Sequence, residues 1–118
     1  MAGMSAARDL ARSGSRVQVF DKARGVGGRM ATRRHETGAF DHGAQYFTAR
    51  SSEFEAEVAD WSARGLAAPW DGRIVRLASD GTVSESAPEE RHVGVPKMSV
   101  LARDLAHGLD DRLEIHCG

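Results

Sequence analysis

The sequence has few of the features that mark secreted, membrane-spanning or disulfide-stabilised proteins. Its single cysteine, Cys117, excludes an internal disulfide and is typical of a reducing compartment. No apolar run approaches the roughly 18 residues that a membrane span needs, and no signal-peptide pattern precedes the first helix. Aromatic residues make up only 6% of the 118 residues. We therefore expect a cytoplasmic protein of the size of one small domain, with no membrane partner.

Neither sign of charge predominates. The 16 lysines and arginines stand against 17 aspartates and glutamates, which leaves a net charge of −1. This balance provides no general attraction to nucleic acids or to anionic membranes. The five histidines are scattered, without the paired spacing of a zinc site, so we predict no metal site. A local cluster of arginines therefore needs a local explanation.

Residues 15–30 are the most informative stretch, because a short apolar run leads into an acidic residue and a glycine-rich basic loop. Val17, Val19 and Phe20 are typical of a strand that helices cover on both faces. Asp21 follows at the carboxyl end, where open α/β sheets bind ligands and where a carboxylate can accept hydrogen bonds from ribose hydroxyls. Glycines let a backbone approach a pyrophosphate, and arginines can bind its oxygens. The loop residues of these two types are Arg24, Gly25, Gly27, Gly28 and Arg29. An ordinary strand followed by a turn with solvated arginines is the alternative.

The segment before this strand predicts a helix, with apolar residues at helical spacing from Met4 to Ala11 and an end at Gly14. A dinucleotide-binding unit usually begins with a strand and a G-x-G-x-x-G turn that leads into such a helix. Only the third glycine has a counterpart here, Gly3, which precedes Asp21 by 21 − 3 = 18 positions. Without the first strand, we expect strand 17–20 to lack a neighbour, which leaves open self-association through an exposed sheet edge.

Two motifs resemble those of the flavin-dependent amine oxidase superfamily, and within it the renalase-like NAD(P)/FAD oxidoreductases. The stretch DKARGVGGRMATRR resembles the double-glycine motif, an acid followed by R-x-G-G-R, with Asp in place of the commoner Glu. FDHGAQYFTAR follows at the family's spacing. The resemblance implies an α/β fold, a partial Rossmann-like FAD-binding domain with an antiparallel β element from a substrate domain. It covers all 118 residues, as a fragment lacking the first strand and most of the C-terminal part.

The resemblance also implies the organisation and the activity. Residues 1–65 would be an incomplete FAD-binding domain, residues 66–97 the start of a substrate-domain β element, and residues 98–118 a helix and strand returning to the first domain. The complete protein is expected to be an FAD-dependent oxidoreductase in which a small-molecule substrate gives a hydride to the flavin and oxygen reoxidises it. Dihydronicotinamide isomers and amines are the implied substrates, and an NAD(P)H-type substrate stays open. The 118-residue chain alone is expected to be inactive.

Site roles follow from the same motifs. Asp21 is expected at the ribose, and Arg24 and Arg29 at phosphate and flavin-side groups. The segment from Gly43 to Tyr46 is implied to lie beside the isoalloxazine ring, with a core anchor as the alternative role for Tyr46. The cofactor-binding candidates are Gly3, Asp21, Lys22, Arg24, Gly27, Gly28, Arg29, Met30, Gly43, Ala44, Gln45 and Tyr46. We nominate no catalytic residue, because in such enzymes the cofactor carries the chemistry.

Local patterns predict further elements in the middle of the chain. A turn at residues 37–38 separates two short extended pieces. Ser52 and Glu55 form a capping box, which predicts an amphipathic helix over residues 53–64. The Asp-Gly pair at residues 80–81 predicts an antiparallel hairpin around it.

The remainder of the chain predicts a polar connector at residues 87–90, a second helix from Met98, a turn at residues 110–111 and a strand over residues 113–116.

Two other functions need to be distinguished from the enzyme. A catalytically inactive fragment, or a non-catalytic nucleotide-binding module, fits the absence of the first two glycines. Codons for those glycines upstream of Met1 would favour the enzyme. A nucleic-acid binder would show salt-sensitive affinity through Arg24, Arg29, Arg33 and Arg34. No aromatic stacking platform accompanies these arginines, so we expect no nucleic-acid partner.

Overall fold

The computed structural model describes residues 1–85, 89–109 and 111–118. The predicted connector at residues 87–90 and the predicted turn at residues 110–111 lie partly outside them. None of the helices in the described ranges is long and apolar enough to cross a membrane. In chain order, the elements are helix α1 (Ala2–Arg12), strand β1 (Val17–Asp21), a 3-10 helix (Gly28–Met30), strands β2 (Thr32–His35) and β3 (Gly38–Asp41), helix α2 (Ser52–Ala63), strands β4 (Ala67–Pro69), β5 (Val75–Leu77), β6 (Val83–Glu85) and β7 (His92–Gly94), helix α3 (Ser99–Asp104) and strand β8 (Leu113–Cys117).

Helix α1 ends as predicted, because Gly14 takes a left-handed conformation with φ of 101°. The Gly14 amide donates to the Ala11 carbonyl at 3.0 Å, and the Ser15 amide donates to the Leu10 carbonyl at 3.1 Å. These two bonds form a Schellman motif, which satisfies the last carbonyls of the helix. Met4 and Ala11 lie on the buried face of α1.

Strands β1 and β8 form a parallel pair, with Val17 opposite Leu113 and Asp21 opposite Cys117. The prediction that β1 lacks a neighbour is therefore wrong, because β8 supplies the ladder from the far end of the chain. The prediction of helices on both faces is also wrong. One face contributes to the core, whereas Phe20 on the other is 74% exposed and stacks on His116. Within the described residues no strand pairs with the second edge of β1, and self-association there stays a prediction.

Helix α2 begins at Ser52, one residue before the predicted start at residue 53. The N-cap is Ser51, whose extended backbone lets its hydroxyl accept a hydrogen bond from the Phe54 amide at 3.3 Å. The capping box at Ser52 and Glu55 is therefore wrong, since position N3 is occupied by Phe54. A serine at N-cap stabilises a helix by about 1 kcal/mol relative to alanine, whichever residue occupies N3.

The end of α2 is joined to α3 through a carboxylate. Trp61 Nε1 donates to Asp104 Oδ2 at 2.9 Å, and Arg64 donates to both carboxylate oxygens at 2.6 Å. The Arg64 guanidinium lowers the pKa of the Asp104 carboxyl below its ordinary value of 3.8, and the carboxylate raises the pKa of Arg64. A bidentate pair of this kind fixes orientation as well as contributing energy.

The remaining strands form antiparallel pairs. Strands β2 and β3 pair around the turn predicted at residues 37–38, and β5 and β6 pair around the predicted Asp-Gly turn. There the Thr82 amide donates to Asp80 Oδ1 at 2.8 Å, while Gly81 has φ of 84°. Strand β4 pairs with β7, and Phe47 bridges to His92 of β7, so three extended segments lie side by side.

A polar cluster connects the β2–β3 hairpin to the start of α3. Thr32 donates to Asp41 at 2.5 Å, and its hydroxyl lies 3.0 Å from the Ser99 hydroxyl. The Met98 amide donates to both oxygens of the Asp41 carboxylate at 3.2 Å. Asp41 therefore acts at the beginning of α3, where helical amides otherwise lack acceptors.

One core joins elements from both ends of the chain. Its buried residues are Met4, Ala7, Ala11, Val26, Val58, Trp61, Ala67, Leu101, Ala102, Leu105 and Leu113. Residues of α3 and β8 therefore pack with those of α1 and α2. The predicted division into segments 1–65, 66–97 and 98–118 stays a prediction.

Candidate functional site

The carboxyl end of β1 and the beginning of α1 lie at the same edge of the β1–β8 sheet. Helix α1 spans about 15 Å at 1.5 Å per residue, and β1 spans about 13 Å at 3.3 Å per residue. Since only residues 13–16 separate them, the chain runs down α1 and returns along β1. Gly3 is exposed in the first turn of α1, and no atom lies within 4 Å of the position that a Cβ would occupy. Gly3 and Asp21 therefore belong to one edge.

Asp21 ends β1 with its carboxylate partly exposed. Its Oδ1 accepts a hydrogen bond from the Ala23 amide at 2.9 Å, which shapes the start of the loop. In the described residues no protein group donates to Oδ2. This oxygen is available to a ligand hydroxyl, which is the interaction that a ribose would need.

The glycine-rich loop is anchored at its middle and open at its flanks. Val26 is buried in the core, with 8% exposure, whereas Lys22 and Arg24 are exposed. Gly27 and Gly28 have φ of 136° and 53°, a region that favours glycine. They lead into the 3-10 helix that contains Arg29 and Met30. No atom lies within 4 Å of the Cβ position of Gly28, so its backbone stays accessible.

The structure brings the second motif against the first. The Ala44 amide donates to the Arg29 carbonyl oxygen at 2.7 Å. A Cβ on Gly43 would overlap that oxygen and lie 2.9 Å from the Arg29 carbonyl carbon. Only glycine permits this approach, and the requirement is steric contact with backbone rather than unusual φ. The segments around Arg29 and Gly43 therefore form one surface.

Beyond Ala44 the chain divides its side chains between surface and core. Gln45 is exposed, and Tyr46 is 41% exposed, with its ring centroid 5.2 Å from that of Trp70. The Arg91 guanidinium lies 5.3 Å from the Tyr46 centroid, a cation–π distance. Sequence reasoning did not identify Trp70 and Arg91, because they reach Tyr46 only through the pairing of β4 with β7.

Phe47 has the packing role instead. Its ring contacts those of Phe54 and Trp61, with centroids 5.8 and 6.3 Å apart, and stacks on His92 at 5.6 Å. Adjacent residues of an extended segment point to opposite faces. The orientation of Phe47 toward the core therefore directs Tyr46 to the other side, where a ligand could contact it.

A groove of about 530 Å³ between α1 and α2 is a poorer candidate. Arg8 and Arg12, in the second half of α1, line it away from Gly3. Arg8 already donates to Glu57 at 2.6 Å. Across the described ranges, no group of three metal-ligating side chains appears here or elsewhere. We therefore place the site at the carboxyl edge of β1.

The residues at this edge fit a dinucleotide. They provide a carboxylate oxygen for a ribose, accessible backbone at Gly28, and exposed cations for phosphates. Comparison with protein families agrees with this geometry, since residues 1–62 match the family described as the NAD(P)-binding Rossmann-like domain.

Proposed function

Because the chain belongs to the NAD(P)-binding Rossmann-like domain family, we propose that it is the dinucleotide-binding portion of an FAD-dependent oxidoreductase. The observation that carries the proposal is the backbone contact between Arg29 and Ala44, which brings the second motif against the loop that follows Asp21. It supports one continuous binding surface that runs from the ribose carboxylate to the segment containing Tyr46. The two sequence motifs support a renalase-like member of the amine oxidase superfamily.

Each part of the surface has a physical role in this proposal. Asp21 Oδ2 accepts hydrogen bonds from ribose hydroxyls, and Arg24 and Arg29 donate charge-assisted hydrogen bonds to phosphate oxygens. Gly28 permits close approach of the backbone to the phosphates. Tyr46 orients a planar ring by packing against it. Bound FAD would supply the acceptor of a hydride from the substrate, and the substrates that the motifs favour are dihydronicotinamide isomers or amines.

The test is retention of FAD by the purified chain after desalting, with binding measured by flavin fluorescence. We expect Asp21→Ala and Arg29→Ala each to weaken binding roughly 10- to 100-fold, because each removes a hydrogen bond to or from a charged group. Arg76→Ala is the matched control, since Arg76 is exposed on β5 in the antiparallel β5–β6 hairpin. Circular dichroism checks that the variants fold. A folded wild-type chain that retains no FAD, or variants that bind as the control does, would contradict the proposal.

A non-catalytic nucleotide-binding module is the second candidate. Asp21, Arg24 and Gly28 favour this candidate, because they suffice to bind the ribose and phosphates of the adenosine half of a dinucleotide. Tyr46 is not needed for that half. The two candidates differ in redox behaviour. A module would retain FAD or ADP but would not reduce the flavin when dihydronicotinamides or amines are added, whereas the oxidoreductase in its complete form would bleach the flavin absorbance.

A further inference from the structure

Arg103 of α3 lies beside the glycine-rich loop. Its Nη2 is 3.6 Å from the position that a Cβ on Gly25 would occupy, which is ordinary van der Waals distance. Gly25 does not have the left-handed conformation that favours glycine, so backbone strain does not explain the residue. Because glycine has no side chain, the guanidinium can lie directly next to the loop backbone.

The part of α3 that carries Arg103 is held from two directions. Val26 holds the loop against the core that contains Leu101 and Ala102 of α3. Asp104 is bound to α2 by Trp61 and Arg64, as described above. Successive helical residues point about 100° apart, so fastening Asp104 toward α2 turns Arg103 to another side of the helix. Arg103 therefore lies on the side of α3 next to the loop, where its Nη2 approaches Gly25.

The charges around Gly25 are unbalanced. Lys22, Arg24 and Arg103 are exposed, and none of them has a carboxylate within 4.0 Å in the part of the chain that the structure describes. The loop's own acid, Asp21, contributes one negative charge and forms no ion pair with these three cations in the described residues, so an excess of positive charge remains. Like charges gathered in one place repel one another, and an anion between them relieves this repulsion.

We propose that Arg103 binds a phosphate group of the dinucleotide, together with Arg24, across Gly25. The inference rests on the proposed function and adds to it a residue from outside both motifs. A guanidinium can donate two parallel hydrogen bonds to phosphate oxygens, which gives direction as well as charge. The phosphate belongs either to the bridge between the two nucleosides or to a ribose carrying a 2′-phosphate. Both present the same oxygens to Arg103.

Calorimetric titration with three small probes tests the proposal. Adenosine has no phosphate, ADP carries the bridge phosphates, and adenosine 2′,5′-bisphosphate carries a ribose 2′-phosphate. We expect Arg103→Ala to weaken binding of at least one phosphate-bearing probe roughly tenfold while adenosine binding stays unchanged, as expected for one charge-assisted contact at an exposed site. Loss with ADP assigns the bridge, and loss with the bisphosphate alone assigns the 2′-phosphate.

Arg103→Lys keeps the charge and loses the planar fork, so we expect an intermediate affinity. Arg76→Ala again removes one exposed arginine, in the β5–β6 hairpin rather than in the loop. The proposal is wrong if Arg103→Ala binds both phosphate probes as tightly as Arg76→Ala does. It is also wrong if adenosine binding falls equally, because the residue would then act on loop structure. A wild-type chain that binds none of the probes overturns the proposed function and this inference together. If the wild-type chain binds the probes and only the Arg103→Ala result is contrary, the inference fails while the proposed function stands.

Discussion

Replacing Gly43 with alanine is expected to push apart the two segments that form the site. The new methyl group would overlap the Arg29 carbonyl oxygen and lie 2.9 and 3.4 Å from the adjacent carbonyl carbon and Cα. All three are backbone atoms, so no side chain can rotate away. Carbon atoms pack best at about 3.5–4.0 Å, and the loop must move to restore that distance.

The cost has two parts. Overpacking costs typically about 1–3 kcal/mol, and loss of the Ala44 amide bond to Arg29 adds roughly 0.5–1.5 kcal/mol. Gly43 is exposed, so part of the strain relaxes by a shift of the loop. We therefore expect the free energy of unfolding to fall by about 2 kcal/mol. With a urea dependence near 2 kcal/mol per molar, the midpoint moves by about 1 M.

Urea unfolding followed by tryptophan fluorescence measures this change, because the transition exposes Trp61, which is 1% exposed in the folded protein. Gly3→Ala is the matched control for stability. It adds the same methyl group inside α1, where no atom lies within 4 Å, and alanine favours a helix by up to about 1 kcal/mol over glycine. Equal midpoints for the two variants would refute the argument that contact with Arg29 requires glycine at position 43.

Two further substitutions test how α2 is held. Asp104→Asn removes the charge that binds Arg64, and we expect a loss of about 1–2 kcal/mol at neutral pH, discounted for the exposure of Arg64. Because the folded-state pKa of Asp104 is lowered, this stabilisation is present above its unfolded pKa and is lost as the pH falls through the folded one. Wild-type stability measured by urea unfolding should therefore fall more steeply than that of Asp104→Asn below about pH 4, and parallel curves would contradict the role of the pair. Ser51→Ala removes the acceptor of the Phe54 amide and should cost about 1 kcal/mol, whereas Ser51→Asp should restore the cap. No difference between these two variants would show that the cap contributes nothing.

Short-range chemistry made several elements predictable from the sequence. The end of α1 at Gly14 and the turn containing Gly81 depend on positive φ values, which glycine adopts readily. Strand β1 was recognisable from its β-branched residues, and Asp21 was recognisable as its carboxyl end. The N-cap of α2 was missed by one residue, because Ser51 and Ser52 can both cap and only the backbone conformation at Ser51 decides between them.

The elements that lie against the faces and the edge of β1 could not be predicted in the same way. The apolar side chains of Val17, Val19 and Phe20 each favour burial. A side chain is buried, however, only if another element packs on the face of the strand to which it points. In the described residues, α1 and the core take up one face, and Phe20 finds only the His116 ring on the other. The identity of the neighbouring strand depends on a pairing between opposite ends of the chain, which no local pattern contains.

The sequence by itself determined which residues could bind a dinucleotide, because a carboxylate after a strand, adjacent glycines and nearby arginines each have the required chemistry before any fold is known. Tertiary structure decided which of them lie close together. The contact of Gly43 with Arg29 and the approach of Arg103 to Gly25 join segments that are distant along the chain. Their positions follow from packing of β1, β8 and α3 around one core, and such packing depends on the summed contacts of many side chains rather than on the residues at the site.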